Sequence, residues 1–466
     1  MAETSNPGCP KCAKLTVRIA QLEARLVEVE AQLAKATKNS ENSSKPPSSD
    51  FVNPPKKRRQ PGKRRQGGQP GHPRHEREAF PPEQVDTFWE YYHEACPDCG
   101  GGLKLSDAEP YVIQQIEIEA QPTFVEEHSS LAQWCEHCQK THHHPFPQEL
   151  LKAGLVGPRL TALVGYMKGP CHASFSTIRK FFRDVVGFRI SRGQLAKLVQ
   201  KVSASLAGPY DELLAMLPGA DILNVDETGH KDRGERIWTW CFRATCYTLY
   251  KIDPSRGSEV LLEVLGVEFD GVLGCDYFSA YRKYMRLNKN VIVQFCLAHL
   301  IRDVKFLATH PDPRNRRYGQ RLRGDLKRLF SIIHRRETLG DHFQGQLRDA
   351  CLDLLDSGCA TTTAREAGNI RQRFLENGES LITFLTTPGV EPTNNLAEQA
   401  IRFVAIHRRI TQGTRGENGQ RWCERIFTVI GSCEQQGRSV FEFLRQSIEA
   451  LFQNTSPPSL LDPNTS

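Results

Sequence analysis

At 466 residues the chain is long enough for about three domains with sizeable cores. Its 61 basic and 54 acidic residues leave a net charge of only +7, so the places where charge gathers matter more than the sum. No apolar run could span a membrane and no signal-peptide core opens the chain; the 15 cysteines are odd in number and several fall in Cys-x-x-Cys pairs. These features point away from a membrane or disulfide-built secreted protein and toward a soluble, cytoplasmic, metal-binding one.

Residues 13–38 form the first predicted element. Leu15, Leu22 and Val29 recur every seven residues, interleaved with Ile19, Leu26 and Leu33, while charged residues take the other faces. This is a coiled-coil seam, and a lone helix cannot bury it, so self-association is expected. The preceding Cys9 and Cys12 read equally as free thiols or as a zinc half-site. From Lys35 to about Pro82 the composition turns to Ser, Asn, Pro, Gly, Lys and Arg, a linker without a core. Within it Lys56, Lys57, Arg58, Arg59, Lys63, Arg64 and Arg65 put seven cations in ten residues, suited to DNA phosphates.

Cys96, Cys99, Cys135 and Cys138 form two Cys-x-x-Cys pairs separated by 35 residues rich in strand formers. That is the layout of a four-cysteine zinc ribbon, and closed sulfur coordination makes such a zinc structural. His142, His143 and His144 follow and are expected to be exposed. Residues 158–217 read as helical. One helix starts near Ser176 and breaks at Gly187, and Ser191 caps the next, a helix-turn-helix-like pattern with Arg179, Lys180, Arg192 and Lys197 as candidate phosphate contacts.

From about residue 218 the pattern changes to strands. Ile222, Leu223 and Val225 read as a buried strand that ends at Asp226 and Glu227, ahead of Gly229. Segments 236–242 and 247–252 are rich in aromatic and β-branched residues and read as a following pair of strands, and 271–277 is another apolar strand ending in an acid, Asp276. Strand, hairpin, strand brings Asp226 and Asp276 side by side, and alternation along the strand sends Glu227 to the other face. Residues 291–295 read as a fifth strand, and Cys296–His299 open a helix in which both residues, as bare chemistry, are packing residues more often than ligands. About 305–390 is a helical insertion with Arg314, Arg316, Arg317, Arg321 and Arg323 at its start, too long to be a structureless loop. Residues 392–402 read as a helix capped by Thr393 or Asn394, with Glu398 in its first two turns and Arg402 one turn on, placed to bind phosphate or orient the acid. A basic tract containing Arg408 and Arg409 follows, with Phe403, Trp422 and Phe427 interleaved. Residues 455–466 look disordered.

The order Asp226, Asp276, Glu398 on strand, strand and helix resembles the DDE transposases. The phrases VDETG, CLAH and NNLAEQAIR, with NSSKPPSSD (42–50) and GGQPGH (67–72), look like the insertion sequence 66 family, and the likeness spans nearly the whole chain. The resemblance implies a multidomain α/β protein with a ribonuclease-H-like catalytic core. Its organisation would be a coiled coil (1–38), basic linker (39–82), zinc ribbon (83–150), helix-turn-helix-like domain (151–217), core (218–435) and C-terminal helix and tail (436–466). Asp226, Asp276 and Glu398 would hold Mg²⁺ or Mn²⁺, with Cys296, His299 and Arg402 as buttresses. It further implies DNA, a homo-oligomer and, for some members, accessory proteins as partners, in a bacterial, nucleoid-associated setting. Three crowded carboxylates need such cations on physical grounds as well, since two of them about 4 Å apart repel by about 4 kcal/mol at an effective dielectric of 20. The expected activity is cutting of element ends and joining of the 3′ hydroxyl to target DNA. The rival readings are a nuclease without joining and a non-catalytic, zinc-dependent DNA-binding regulator.

Overall fold

The computed structural model describes residues 10–39, 43, 79–102, 104, 110, 112–116 and 122–461. The cationic arm at 56–65 and Cys9 lie outside them, as does the side chain of Cys12. Contacts divide the chain into two units, Lys56–His128 and a larger one made of Met1–Pro55 with Ser129–Ser466. In the smaller unit a turn closes around Cys96–Cys99, where Cys96 N–H donates to the Gly101 carbonyl and Gly100 N–H donates back to that of Cys96, both at 2.8 Å.

The larger unit opens with helix α1 (Pro10–Ala36), as the seven-residue repeat predicts. Leu15, Ile19, Leu22, Leu26, Val29 and Leu33 are all exposed along it. Its C-terminal end is tied down by Lys35, paired with Glu366 at 2.5 Å. A hairpin of β1 (Ala132–Cys135) and β2 (Lys140–His143) follows, with Cys138 in its turn. Helices α2 (Gln148–Ala153), α3 (Pro158–Lys168), α4 (Phe175–Phe181), α5 (Arg192–Ser205) and α6 (Ala207–Met216) then form a bundle. Helix α4 starts next to Ser176, as expected, with Ser174 accepting from Thr177 N–H as its cap, and Ser191 caps α5 as predicted.

The centre of this unit is a five-stranded sheet of β3 (Ile222–Asp232), β4 (Glu235–Arg243), β5 (Thr248–Asp253), β6 (Val272–Cys275) and β7 (Ile292–Phe295). Its spatial order is β5-β4-β3-β6-β7, with β3, β4 and β5 antiparallel and β6 and β7 parallel to β3. The central strand has helices over both faces, so Leu223, Asn224 and Val225 are buried in succession where an edge strand would alternate. The expectation that this strand stops at its acids is corrected: β3 runs on to Asp232, paired with β4 throughout. What stops is its pairing with β6, whose last rung is Asn224 opposite Gly274. The β3–β6 ladder therefore ends just before the acids begin.

Helices α7 (Ser258–Leu265), α8 (Ser279–Leu287) and α9 (Leu297–Ala308) interleave with the later strands. The predicted insertion is helical, comprising α10 (Pro313–His334), α11 (Arg336–Leu339), α12 (Phe343–Cys359) and α13 (Arg365–Asn377). The chain then returns to the sheet with α14 (Asn395–Thr411) and α15 (Glu417–Gln435), and α16 (Val440–Gln453) packs on α3 and α5. Helix α15 covers the edge strand β5 in a specific way. Ser432 Oγ, Thr428 Oγ1 and Glu424 Oε1 accept from the N–H groups of Thr248, Tyr250 and Ile252 at 3.1, 3.0 and 2.8 Å. One helical step of four residues, about 6 Å, matches two strand residues, about 6.6 Å, so polar side chains at i, i+4 and i+8 meet alternate strand donors. Residues 455–461, expected to be disordered, pack instead: Leu460 is fully buried and its carbonyl accepts from Gln436 Nε2 at 2.7 Å.

Candidate active site

Gly274 is the smallest part of the site and the first cause of its shape. A Cβ there would lie 2.4 Å from Asn224 Nδ2, so only glycine lets the Asn224 side chain cross from β3 over β6. Asn224 Nδ2 donates to Asn394 Oδ1 at 3.0 Å, and Asn394 Nδ2 donates to the Val225 carbonyl at 2.8 Å. Asn394 also donates its backbone N–H to Cys296 Sγ at 3.1 Å, while Cys296 N–H donates to the Cys275 carbonyl at 2.8 Å. Four segments are thus stitched together: β3, β6, and the starts of α9 and α14. Asn394 stands at the expected N-cap position, but its side chain spans to the sheet rather than capping its own helix.

The stitching brings three carboxylates to one end of the sheet. Continuing the β3–β6 register beyond Asn224 and Gly274 sets Asp226 level with Asp276, and Glu398 enters from the first turn of α14. Asp226 Oδ1 accepts from Glu227 N–H at 2.9 Å and Asp276 Oδ1 from Phe278 N–H at 2.8 Å. Burial pushes the Asp226 carboxyl well above the usual carboxylate range, and the negative charges of Glu227, Asp276 and Glu398 push it further. Burial also raises Asp276, against the opposing pull of His299 and of the Phe278 N–H.

Glu227 turns to the other face of β3, as strand alternation predicts. Arg256 holds it at 2.7 and 2.8 Å, and the Tyr281 hydroxyl donates to it at 2.5 Å. Arg256 is itself stacked on Trp238 and Phe278, 4.6 and 4.0 Å from their ring centres. Burial and the charge of Asp276 push Glu227 up to about 7 despite that guanidinium.

Glu398 is held from α9. Its Oε2 accepts from Arg302 Nη2 at 3.2 Å and its Oε1 lies 3.4 Å from His299 Nδ1. Arg302 Nη1 lies 3.2 Å from His299 Nε2. Arginine has no acceptor, so a hydrogen bond here needs an unprotonated Nε2, the tautomer with its proton on Nδ1. Ligand atoms of Cys296, His299 and Glu398 all lie within 4.8 Å of one another. With Nδ1 protonated and Cys296 Sγ accepting from Asn394, this trio suits a hydrogen-bonded buttress better than a soft-metal site. The three acids are another matter: they offer hard oxygen donors, and the buried Oε1 of Glu398 accepts no hydrogen bond, although His299 Nδ1 lies 3.4 Å away.

The sequence model of a family described as the Transposase IS66 family matches residues 153–421, more than half of the chain and all of this site. The chain belongs to that family. A second family, of unknown function (DUF6444), matches residues 10–78. Among curated proteins the chain is similar to two from Sinorhizobium fredii, both named as uncharacterized. Protein y4qI is 21% identical over 343 residues, covering 66% of this chain and 62% of that protein. Protein y4hP is 25% identical over 371 residues, covering 72% of this chain and 66% of that protein. The matches thus span slightly less than two thirds of either relative.

Within this IS66-family chain the remaining predicted residues divide. Arg402 is exposed on α14, and the guanidinium on Glu398 is instead that of Arg302. Arg408 is turned inward to Thr228 Oγ1 at 3.2 Å and to the Gly229 carbonyl, whereas Arg409 is exposed. Arg179 donates to the Ile190 carbonyl at 3.1 Å and Arg192 to Ser176 Oγ at 2.7 Å, so both brace the α4–α5 turn. Each cysteine pair has its own tight turn. Backbone N–H groups of Asp98 and Cys99 lower the Cys96 thiol, and the N–H of Cys138 chiefly lowers that of Cys135. His142, exposed as expected, lies 3.2 Å from Cys138 Sγ through Nε2. Among the described residues no helix is long and apolar enough to cross a membrane.

Sequence reasoning passed over Asn224, Gly274, Arg256, Tyr281 and Arg302. Only Arg302 had a usable signal, standing three residues after His299 on the same helix and therefore on the same face. The others act across long sequence separations, which periodicity does not register.

Proposed function

We propose that the chain is a DNA transposase that cuts the ends of an insertion sequence and joins the freed 3′ hydroxyl to target DNA, with Asp226, Asp276 and Glu398 as its catalytic acids. The observation that carries this reading is the meeting of these acids at one end of the sheet, within the region matched by the IS66 family. The strand order, three antiparallel strands followed by two parallel to the first, supports a ribonuclease-H-like core. The three carboxylates would hold Mg²⁺ or Mn²⁺, and such ions activate an attacking oxygen and stabilise a leaving one in a phosphodiester displacement. The chain's own contribution is to keep the acids together against their repulsion, through Asn224, Asn394 and Cys296, and to exclude Glu227 from the group by pairing it with Arg256 and Tyr281.

Other parts serve the same reading. The spacing of Cys96, Cys99, Cys135 and Cys138 in the sequence suggests a structural zinc ion, and each pair by itself sits in a tight turn with one thiol lowered, Cys96 in the first and Cys135 in the second. The exposed apolar stripe of α1 supports self-association, which paired cutting at two DNA ends requires. The arm from Lys56 to Arg65, with exposed Arg409 and the exposed Arg317, Arg323 and Lys327 on α10, would follow DNA backbone.

The test is incubation of the full chain with Mg²⁺ and a duplex carrying the DNA ends that flank the gene. Joined products from wild type, absent for Asp226→Asn, Asp276→Asn and Glu398→Gln, are expected. Nicking without joining would replace this reading with a nuclease, and binding without cutting would leave a DNA-binding regulator.

A further inference from the structure

Arg302 occupies a position at odds with the work proposed for Glu398. Its guanidinium pairs with one oxygen of that carboxylate, and its other Nη lies 3.2 Å from His299 Nε2. One carboxylate oxygen is therefore held by α9, and the other makes no hydrogen bond. Among the described residues, the ligand atoms found within 4.8 Å of one another include Glu398 with Cys296 and His299, not Glu398 with the two aspartates. A cation bound by Glu398 and the Arg302 guanidinium carry the same sign and compete for the same carboxylate.

We propose that Arg302 is a positioning residue that acts as a latch: in the DNA-free chain it holds Glu398 on α9, and a DNA phosphodiester entering the site takes the guanidinium over and frees Glu398 for the divalent cation. This rests on the reading of Asp226, Asp276 and Glu398 as a metal site. Three observations carry it. The Arg302 and Glu398 side chains are 27% and 23% exposed, so the pair is reachable by a ligand and its partners can exchange. Arg302 makes one contact to the carboxylate and one to an imidazole, whereas its planar fork fits two oxygens of a phosphate. And in the absence of a cation the acids need compensating charge: Arg256 supplies it to Glu227 and Arg302 to Glu398. Assembly of the metal site is then linked to the arrival of substrate, which limits metal-driven cutting in the absence of a bound DNA strand.

The experiment is Mn²⁺ binding to the full chain, read from the paramagnetic resonance signal of free Mn²⁺. It is run with and without a plain DNA duplex, the contribution of the duplex alone being subtracted. Without DNA, Arg302→Gln should bind Mn²⁺ roughly five- to tenfold more tightly than wild type. Arg302→Lys, which keeps the cation, should bind as weakly as wild type. The duplex should tighten binding to wild type and add little for Arg302→Gln. Arg302→Gln binding no more tightly than wild type, or Arg302→Lys and Arg302→Gln behaving alike, overturns the latch. Asp226→Asn is the control for the underlying reading: if it leaves Mn²⁺ binding unchanged, the metal site itself is wrong, whatever Arg302 does. A thermal melt of each variant identifies one that fails to fold, and Arg302→Met then supplies a second route, since it too removes the cation from Glu398 and should tighten Mn²⁺ binding; no tightening there would overturn the latch.

Discussion

Asp226 and Glu227 are neighbours on β3, and the pleat sends them to opposite faces, Glu227 to Arg256 and Tyr281. For Glu227 this has a consequence in pH. Its folded-state pKa is raised, to about 7, so the native chain binds its proton more tightly than the unfolded chain does. The stability it contributes is full below the ordinary glutamate pKa and is lost as pH rises through about 7. Glu227→Gln cannot lose that proton. In metal-free protein its stability relative to wild type should therefore improve by about 1–3 kcal/mol between acidic and mildly alkaline pH, read from denaturant melts across that range. A constant difference would mean that Arg256 fully compensates the charge. Asn394 invites a second substitution. Asn394→Ala leaves the Asn224 amide and the Val225 carbonyl without their buried partner and should cost about 1–3 kcal/mol in the same melts. Little or no loss would show that the stitching across the site is not needed for folding.

At the scale of elements, the strands of the core were legible because buried apolar runs bounded by turn residues leave few alternatives, and Trp238–Phe242, Val272–Cys275 and Ile292–Phe295 all lie in strands. The end of β3 was misjudged for a physical reason. Acids and a glycine look like a strand terminus in one dimension, yet β4 pairs with that segment through Asp232. Helical spacing within one element offers Arg402 to bind phosphate or to orient Glu398, whereas the guanidinium on the acid is that of Arg302, from another helix. The side chains of α15 on β5 were equally hidden, since Glu424, Thr428 and Ser432 read as an ordinary polar row on a helix. That row protects an edge strand that would otherwise present free N–H groups. Thr428→Val keeps the shape but strands the Tyr250 N–H, and should cost about 1–3 kcal/mol by thermal or denaturant unfolding. An unchanged midpoint would contradict the edge-capping role.

For the whole molecule, the sheet gathers acids that lie far apart in the chain, and the insertion of α10 to α13 separates the last of them without disturbing the stitch at Asn394. The elements that carry the three proposed acids were legible in the sequence because apolar strand runs and a helix start are local patterns; the contacts around them were not, because Gly274, Asn224 and Arg302 matter only once the strands and helices are in register. The central claim is that Asp226 contributes an oxygen to a divalent metal during DNA joining. Its most direct test is a change of ligand atom, comparing Asp226→Cys and Asp226→Asn in the joining assay with Mg²⁺ and with Mn²⁺. Asp226→Cys should be inactive with Mg²⁺, a poor partner for sulfur, and regain at least about tenfold with the softer Mn²⁺, while Asp226→Asn regains far less. Full activity of Asp226→Cys with Mg²⁺, or equal responses of the two variants to Mn²⁺, would contradict the claim.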